Sequence, residues 1–295
     1  MIAFLFPGQG SQTPGMGRDF YDKSPASREV FDEAAAHGPA GFLDLIFEGP
    51  AEVLNLTQNA QPALLTVEAA ILAHIRARGI SATVTAGHSL GEYAALIAAG
   101  CLSFADAYVL VRERGRCMSQ YAPEGAMAAV LGLAADVIEA ALPEGVEVAN
   151  FNGPDQTIIS GTKSGIDACG EILKAAGAKR VVPLAVSGPF HSSLMQEAAE
   201  TYWQTLQSIA IASPRIDFVS SVTGSVLKDP EAIREALRNQ IRGPVQWTGV
   251  MRTLGPVQAV EAGPGKVLQG LAKRTPNAPQ VFEAGTVTAA DGIAL

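Results

Sequence analysis

The stretch at residues 81–99, SATVTAGHSLGEYAALIAA, determines the fold class. Its apolar segment from Ala82 to Ala86 predicts a buried strand, and the run after Gly91 predicts a helix. Gly87 and Gly91 flank Ser89 in the G-x-S-x-G pattern of a nucleophile elbow, a tight turn that exposes the serine hydroxyl. The pattern therefore predicts an α/β fold with Ser89 as a candidate nucleophile. The alternative is a buried turn in which Ser89 only caps the helix.

The regions on either side continue the alternation of strands and helices. A strand is predicted at Ile2 to Phe6, where Pro-Gly ends the apolar run, and residues 259–271, AVEAGPGKVLQGL, predict a strand, a turn and a helix start. Helical periodicity predicts further helices at Gln61 to Arg78, near Leu194 to Ile209 and at Pro230 to Asn239.

Residues 126–186 have a different order of elements. Predicted strands at 126–133, 146–152, 156–161 and 180–186 alternate with predicted helices at 134–142 and 164–178. This βαββαβ order is that of a ferredoxin-like unit, and about 60 residues suit an inserted subdomain. We therefore expect a discontinuous larger domain, residues 1–124 and 189–295, interrupted by a small domain at 125–188.

The composition excludes several classes of protein. Hydrophobic residues make up 48% of the chain and charged residues 17%, which argues against disorder. The net charge of −8 offers no basic footprint for nucleic acid, and no apolar run approaches the roughly 18 residues that cross a membrane. Cys101, Cys117 and Cys169 are widely spaced, which argues against disulfides and zinc. Because the N-terminus lacks a signal-peptide pattern, we expect a cytoplasmic protein.

A serine nucleophile needs a base, and the chain has four histidines. His37 and His74 lie in predicted helices, where surface or packing roles are more common. His88 adjoins Ser89, and neighbours in an extended segment point to opposite faces. His191 follows the loop Ser187-Gly-Pro-Phe190 and is the remaining candidate base; a loop histidine without function is the alternative. None of the 29 acidic residues identifies itself as a third member.

Arg114 lies on the apolar face of a predicted helix that a Ser103-x-x-Asp106 capping box begins. At 100° per residue, its side chain falls within the same arc as Phe104, Ala107, Tyr108, Leu110, Val111, Gly115 and Met118. A buried guanidinium is costly unless it is paired, and its planar fork suits a carboxylate. The partner is either an acid of the protein or the carboxylate of a substrate.

The N-terminal loop at residues 6–12, FPGQGSQ, follows the first predicted strand. Its glycine spacing does not match a dinucleotide fingerprint, and residues 263–266, GPGK, do not form a Walker A loop. Gln9, flanked by glycines, could supply a donor to an oxyanion, and a simple turn is the alternative.

Taken together, these and other motifs resemble the malonyl-CoA:acyl carrier protein transacylase family along essentially the whole chain. They are FPGQGSQ at 6–12, TQNAQPAL at 57–64, GHSLGEYAAL at 87–96, RERGRCM at 112–118, NFNGP at 150–154, GPFHSSLM at 188–195, NQIRGPVQW at 239–247 and EAGPGKVL at 261–268. The resemblance implies an α/β-hydrolase-like larger domain with an inserted ferredoxin-like subdomain.

The resemblance also implies roles for individual residues. Ser89 matches the acylated nucleophile, His191 its base, and Arg114 the arginine that binds the malonyl carboxylate. The oxyanion donors match Gln9 and the backbone N–H of Leu90. Gln240 matches a residue whose main-chain carbonyl orients the histidine, which implies a Ser-His dyad. Phe190 matches a bulky residue that accompanies malonyl selectivity.

The activity implied is ping-pong transfer of malonyl from malonyl-CoA to holo acyl carrier protein, with no metal or bound cofactor. An acyl hydrolase on the same scaffold and an inactive docking subunit are the alternatives. Because carrier proteins are usually acidic, we expect docking at local basic residues. The candidates are Lys179, Arg180, Lys266, Lys273 and Arg274.

Overall fold

The computed structural model describes residues 1–186 and 188–294. Ser187, which belongs to the predicted loop before His191 and to the predicted small domain, lies outside the described residues, as does Leu295. The strands are β1 (Ile2–Phe6), β2 (Val84–Gly87), β3 (Ala126–Leu131), β4 (Val146–Gly153), β5 (Gln156–Gly161), β6 (Arg180–Pro183), β7 (Asp217–Val219), β8 (Val226–Leu227), β9 (Gln258–Glu261) and β10 (Gln280–Glu283).

The helices lie between these strands, and a short 3₁₀ helix at Ser193–Met195 precedes α10. They are α1 (Arg18–Lys23), α2 (Pro25–His37), α3 (Phe42–Glu48), α4 (Ala51–Leu54), α5 (Thr57–Ala77), α6 (Gly91–Ala99), α7 (Phe104–Gln120), α8 (Ala135–Ala141), α9 (Lys163–Ala175), α10 (Gln196–Leu206), α11 (Pro230–Gln240), α12 (Trp247–Leu254), α13 (Val267–Ala272) and α14 (Val287–Asp291). No helix in the described ranges is long and apolar enough to cross a membrane.

The larger sheet has six strands in the order β10-β9-β1-β2-β7-β8, parallel except for the β7–β8 pair. Its strands are apolar on both faces, as expected of a parallel sheet covered by helices. Phe4 and Phe6 of β1 face the core that includes α5, α6 and α7, whereas Ala3 and Leu5 face the core that includes α12 and α13. The structure is therefore α/β, as predicted.

The second sheet has four antiparallel strands in the order β4-β5-β3-β6. Its elements follow the predicted sequence, β3-α8-β4-β5-α9-β6, and bury a separate apolar cluster between the sheet and its helices. Strand β6 ends at Pro183 rather than at the predicted Val186. Its paired register with β3 runs from Arg180 to Pro183, and one further bond, from Leu184 N to Met127 O (2.9 Å), follows it.

Strand β4 contacts the segment that precedes α12. Asn150 forms a parallel bridge with Val245, supported by bonds from Phe151 N to Val245 O (2.9 Å) and from Val245 N to Ala149 O (2.8 Å). The Asn152 side chain follows, and its Oδ1 accepts from His88 Nε2 (2.8 Å). The four-stranded sheet is thereby anchored beside the turn that carries Ser89.

Candidate active site

Ser89 lies in the turn between β2 and α6, as the glycine pattern predicts. Its φ of 52° is in the left-handed region, which residues other than glycine rarely occupy. The flanking glycines permit this turn: a Cβ on Gly87 would lie 2.0 Å from the carbonyl group of Gly91, and one on Gly91 would lie 2.2 Å from the Phe6 carbonyl oxygen. Strain of this kind persists where the surrounding structure enforces it, which is common at functional sites.

His191 is the histidine that the fold brings to Ser89. Its Nε2 lies 2.8 Å from Ser89 Oγ, although 102 residues separate the two in sequence. The other ring nitrogen, Nδ1, faces the carbonyl oxygens of Gln240 (2.8 Å) and Gly243 (3.1 Å). Because carbonyls only accept, Nδ1 carries the proton and Nε2 is the acceptor for the Ser89 hydroxyl. Like Ser89, His191 has a left-handed φ, 60°.

Burial and charge keep the His191 ring neutral. Its side chain is inside the protein, and burial together with the nearby Arg114 cation lowers its pKa to about 3. The two carbonyls at Nδ1 oppose this shift but do not reverse it. The imidazole is therefore in its basic form at physiological pH, as removal of a serine proton requires.

Arg114 is 1% exposed and reaches the same hydroxyl from the other side. Its Nη2 donates to Ser89 Oγ (3.0 Å), its Nη1 to Gln61 Oε1 (2.8 Å) and its Nε to Gln240 Oε1 (3.0 Å). All three acceptors are neutral, and none of the ion pairs among the described residues includes Arg114. Two partners were considered for Arg114, an acid of the protein and a substrate carboxylate. In the described part of the chain, Arg114 forms no ion pair with an acid of the protein.

The N-terminal loop lies against the nucleophile turn. A Cβ on Gly8 would lie 2.7 Å from the carbonyl oxygen of His88, so the two segments are in direct contact. Gln9 Nε2 donates to Thr57 Oγ1 (3.1 Å), and Gln9 Oε1 accepts from Gln61 Nε2 (3.4 Å). Leu90 follows Ser89 as the N-cap residue of α6. The structure thus brings Gln9 and Leu90 to the turn; which groups would meet an oxyanion stays a prediction.

The remaining predicted residues lie around this centre. Phe190 is 4% exposed and belongs to the main core. His88 is engaged with Asn152, and His74 with Ser24 (3.0 Å) and Asp291 (3.0 Å), so neither competes for Ser89 in the described hydrogen bonds. All three cysteines are buried and free.

Two site residues escaped sequence reasoning. Gln61 and Glu92 are both 0% exposed and bond to Arg114 and Gln240, respectively. Each is a polar residue in a helix with many apolar neighbours, the same signal that singled out Arg114, and Glu92 stands only three residues after Ser89. The argument used for Arg114, that a polar side chain on an apolar helix face needs a buried partner, applies equally to Gln61 and Glu92.

The fold and this geometry fit an enzyme of the serine acyl-transfer class, because a serine hydroxyl lies beside a neutral imidazole and a fixed cation. Residues 3–288 match the family model of the acyl transferase domain, and the chain therefore belongs to the acyl transferase family.

The named relatives within this family agree with one another. The chain is 47% identical over 284 residues to the malonyl CoA-acyl carrier protein transacylase of Bacillus subtilis (strain 168), covering 92% of this chain and 90% of that protein. It is 44% identical to the malonyl CoA-acyl carrier protein transacylase of Escherichia coli (strain K12), covering 92% of each.

Solved structures give the same result. An acyl-carrier-protein S-malonyltransferase from Burkholderia pseudomallei 1710b superimposes with a TM-score of 0.93 at 41% identity, covering 98% of both chains. A malonyl-transacylase in complex with its type II PKS acyl-carrier protein superimposes with a TM-score of 0.93 at 38% identity, covering 98% of this chain and 97% of that chain.

Proposed function

We propose that this enzyme transfers a malonyl group from malonyl-CoA to the pantetheine thiol of acyl carrier protein, for fatty-acid or polyketide synthesis. The observation that carries the proposal is the single hydroxyl of Ser89, held 2.8 Å from His191 Nε2 and 3.0 Å from Arg114 Nη2. The named substrates of its relatives supply the donor and the acceptor.

In the first half-reaction, His191 Nε2 takes the proton of Ser89 Oγ as the oxygen attacks the thioester carbonyl. The negative charge that develops on the carbonyl oxygen is stabilised by Gln9 and by the backbone N–H of Leu90. Collapse of the tetrahedral intermediate breaks the carbon–sulfur bond. CoA then leaves as its thiol with the proton from His191, and Ser89 carries the malonyl ester.

The second half-reaction runs the same chemistry in reverse with a different thiol. The pantetheine thiol of the carrier protein gives its proton to His191 and attacks the ester carbonyl. The carbon–oxygen bond to Ser89 breaks, and Ser89 recovers its proton from His191. Both half-reactions use the same base and the same oxyanion site, as in a ping-pong mechanism with one covalent intermediate.

Arg114 would bind the free carboxylate of the malonyl group in both steps. Its guanidinium lies beside Ser89 Oγ and has only neutral acceptors in the described structure, so a carboxylate gains a charge-assisted bond there. An uncharged acyl group leaves the buried cation without that partner, and the difference favours malonyl. Phe190, packed immediately before His191, would limit room for a branched acyl chain.

Gln240 would orient the base through its main-chain carbonyl, the role that a carboxylate has in a Ser-His-Asp triad. The bond from His191 Nδ1 to Gln240 O supports this role (2.8 Å). The catalytic unit is then a Ser-His dyad.

For the architecture, we propose a larger α/β-hydrolase-like domain, residues 1–124 and 189–295, and a ferredoxin-like subdomain at 125–188. The antiparallel order β4-β5-β3-β6 and the βαββαβ succession support the second unit. A cytoplasmic location fits the three free thiols, because reducing compartments keep cysteines unpaired.

Intact-mass measurement tests the function directly. Wild type mixed with malonyl-CoA should gain the mass of one malonyl group and lose it when holo acyl carrier protein is added, with the same mass appearing on the carrier. Ser89→Ala should gain nothing. Discharge to water alone would indicate a hydrolase, and the absence of any adduct on wild type would refute the proposal.

A further inference from the structure

The carboxylate of Glu92 lies directly behind the catalytic residues. It belongs to the first turn of α6, three residues after Ser89, and is 0% exposed. Ser221 N donates to its Oε1 (2.8 Å), Ser221 Oγ donates to its Oε2 (3.1 Å), and Gln240 Nε2 also donates to Oε2. Burial raises the pKa of Glu92 above its ordinary value, and these bonds oppose that shift without reversing it. The donors surround a group that only accepts, which suits an ionised carboxylate.

The Gln240 side chain connects Glu92 to Arg114. Its Nε2 donates to Glu92 and to the Ser89 carbonyl oxygen (3.1 Å), while its Oε1 accepts from Arg114 Nε (3.0 Å). A glutamine amide has one donor end and one acceptor end. Turned by 180°, it would present its NH₂ group to the guanidinium and its oxygen to two acceptors. Glu92, together with the Ser89 carbonyl oxygen, therefore favours the amide orientation that accepts from Arg114.

We infer that Glu92 is a positioning residue for acyl-group selectivity: by fixing the Gln240 amide, it aims the Arg114 guanidinium at the space beside Ser89. This inference rests on the proposed malonyl transfer. Glu92 itself lies behind Gln240 and Ser221, so it acts through Gln240 and not on the substrate. Serine acylation by an uncharged acyl group depends less on Arg114 and should be less sensitive to Glu92.

Glu92→Gln is the isosteric test. The neutral amide keeps one acceptor oxygen, which Ser221 N and Gln240 Nε2 must then share. Loss of a hydrogen bond to a charged group lowers malonyl kcat/KM by about 10- to 100-fold. Acetyl transfer from acetyl-CoA should fall by much less, so the malonyl-to-acetyl ratio of kcat/KM should drop. A purely structural role would lower the thermal midpoint and both activities together.

Ser221→Ala is the matched control because it removes one bond to Glu92 without touching Gln240. Its malonyl-to-acetyl ratio should stay within about twofold of wild type. Gln240→Met supplies the second arm of a double-mutant cycle, since it removes the amide and keeps the main-chain carbonyl that faces His191. In the Gln240→Met background, Glu92→Gln should produce no further drop in the ratio.

An unchanged ratio in Glu92→Gln, or additive effects in the cycle, would overturn the inference while leaving malonyl transfer by wild type intact. Failure of wild type to transfer malonyl would instead overturn the proposed function. If Glu92→Gln does not fold, Glu92→Asp replaces it in the cycle: the shorter side chain keeps its charge but withdraws from Gln240, and the same drop in ratio is expected.

Discussion

At the scale of single residues, the Ser89 hydroxyl contacts both an imidazole and a guanidinium cation. Ser89 Oγ is within hydrogen-bond distance of both His191 Nε2 and Arg114 Nη2. His191 and Ser89, the proposed base and nucleophile, each have a left-handed φ, 60° and 52° respectively. Such conformations cost of order 1–3 kcal/mol each, so the surrounding contacts must hold them. The reactive geometry is thus preorganised before any substrate binds.

Arg114→Ala should separate substrate selection from chemistry. Removing the guanidinium eliminates the partner for the malonyl carboxylate, and we expect malonyl kcat/KM to fall by roughly 100-fold or more. Acetyl transfer should fall far less. Steady-state kinetics with malonyl-CoA and acetyl-CoA measures both, and equal losses for the two acyl groups would refute the carboxylate role.

His191 should make acylation insensitive to mild acid. Its pKa of about 3 lies below the ordinary value of 6.5, and the base works only when neutral, so activity is lost as pH falls through the lowered pKa. Between pH 8 and pH 5, kcat/KM for acylation should change by less than about twofold, whereas a base of ordinary pKa would lose about 30-fold.

Stopped-flow acylation across this range measures the profile, and a midpoint near pH 6.5 would contradict the neutral buried base. Arg114→Ala serves as the control, because removal of the cation that lowers the His191 pKa should move the imidazole titration upward in an NMR experiment.

At the scale of elements, the turn between β2 and α6 depends on the close approach of three backbone segments. Gly91 packs against the end of β1, where an added Cβ would lie 2.2 Å from Phe6 O and 2.5 Å from Pro7 O. Backbone atoms at these positions cannot rotate away as a side chain would. The glycines of the motif therefore hold the nucleophile turn against the sheet.

Gly91→Ala should lower the free energy of unfolding by about 3 kcal/mol, since the methyl group forces α6 away from β1. Gly170→Ala, in the middle of α9 where an added Cβ meets nothing within 4 Å, is the matched control and should raise it by about 0.5–1 kcal/mol. Urea denaturation measures both changes, and a similar effect of the two substitutions would contradict the close-approach argument.

At the scale of the whole molecule, a few exposed basic residues lie close to contacts between α13 and the four-stranded sheet. The candidate docking residues Lys179, Arg180, Lys266, Lys273 and Arg274 are all exposed. Arg274, just after α13, donates to the Gln156 side chain of β5 (3.5 Å). The backbone oxygen of Asp155, next to Gln156, accepts from Gly132 N, and the Lys179 side chain packs on Gly132. These contacts connect the end of α13 to the four-stranded sheet at the start of β5. Lys266 is paired with Glu283 (3.0 Å).

Charge reversal at Lys273 and Arg274 should raise the KM for acyl carrier protein by about 5- to 10-fold at low salt and by less at high salt. Acylation by malonyl-CoA should not change. Lys174→Glu, on exposed α9 beside Glu171, is the control for added negative charge. An unchanged carrier KM in the reversed variant would exclude these two residues from docking.

Sequence patterns alone determined the α/β class, the βαββαβ order and the candidates Ser89, His191 and Arg114. Each depends on local signals: glycine spacing, hydrophobic periodicity, and a charge on an apolar helix face. The same patterns predicted the end of β6 at Val186, three residues beyond its observed end, because apolar residues after Pro183 continue the strand composition although the paired register with β3 ends at Pro183.

Only the tertiary structure determined which residues of the site contact one another. It showed that Arg114 bonds to neutral acceptors, that the Gly243 carbonyl joins the expected Gln240 carbonyl at the His191 ring, and that Glu92 lies behind the amide of Gln240. These contacts join residues up to 148 positions apart in sequence, and the orientation of an amide or a carbonyl is set by its surroundings rather than by residue type. That is why local sequence signals found the candidate reacting groups but neither Gln61 nor Glu92, and why Gln240 was expected only from the family resemblance.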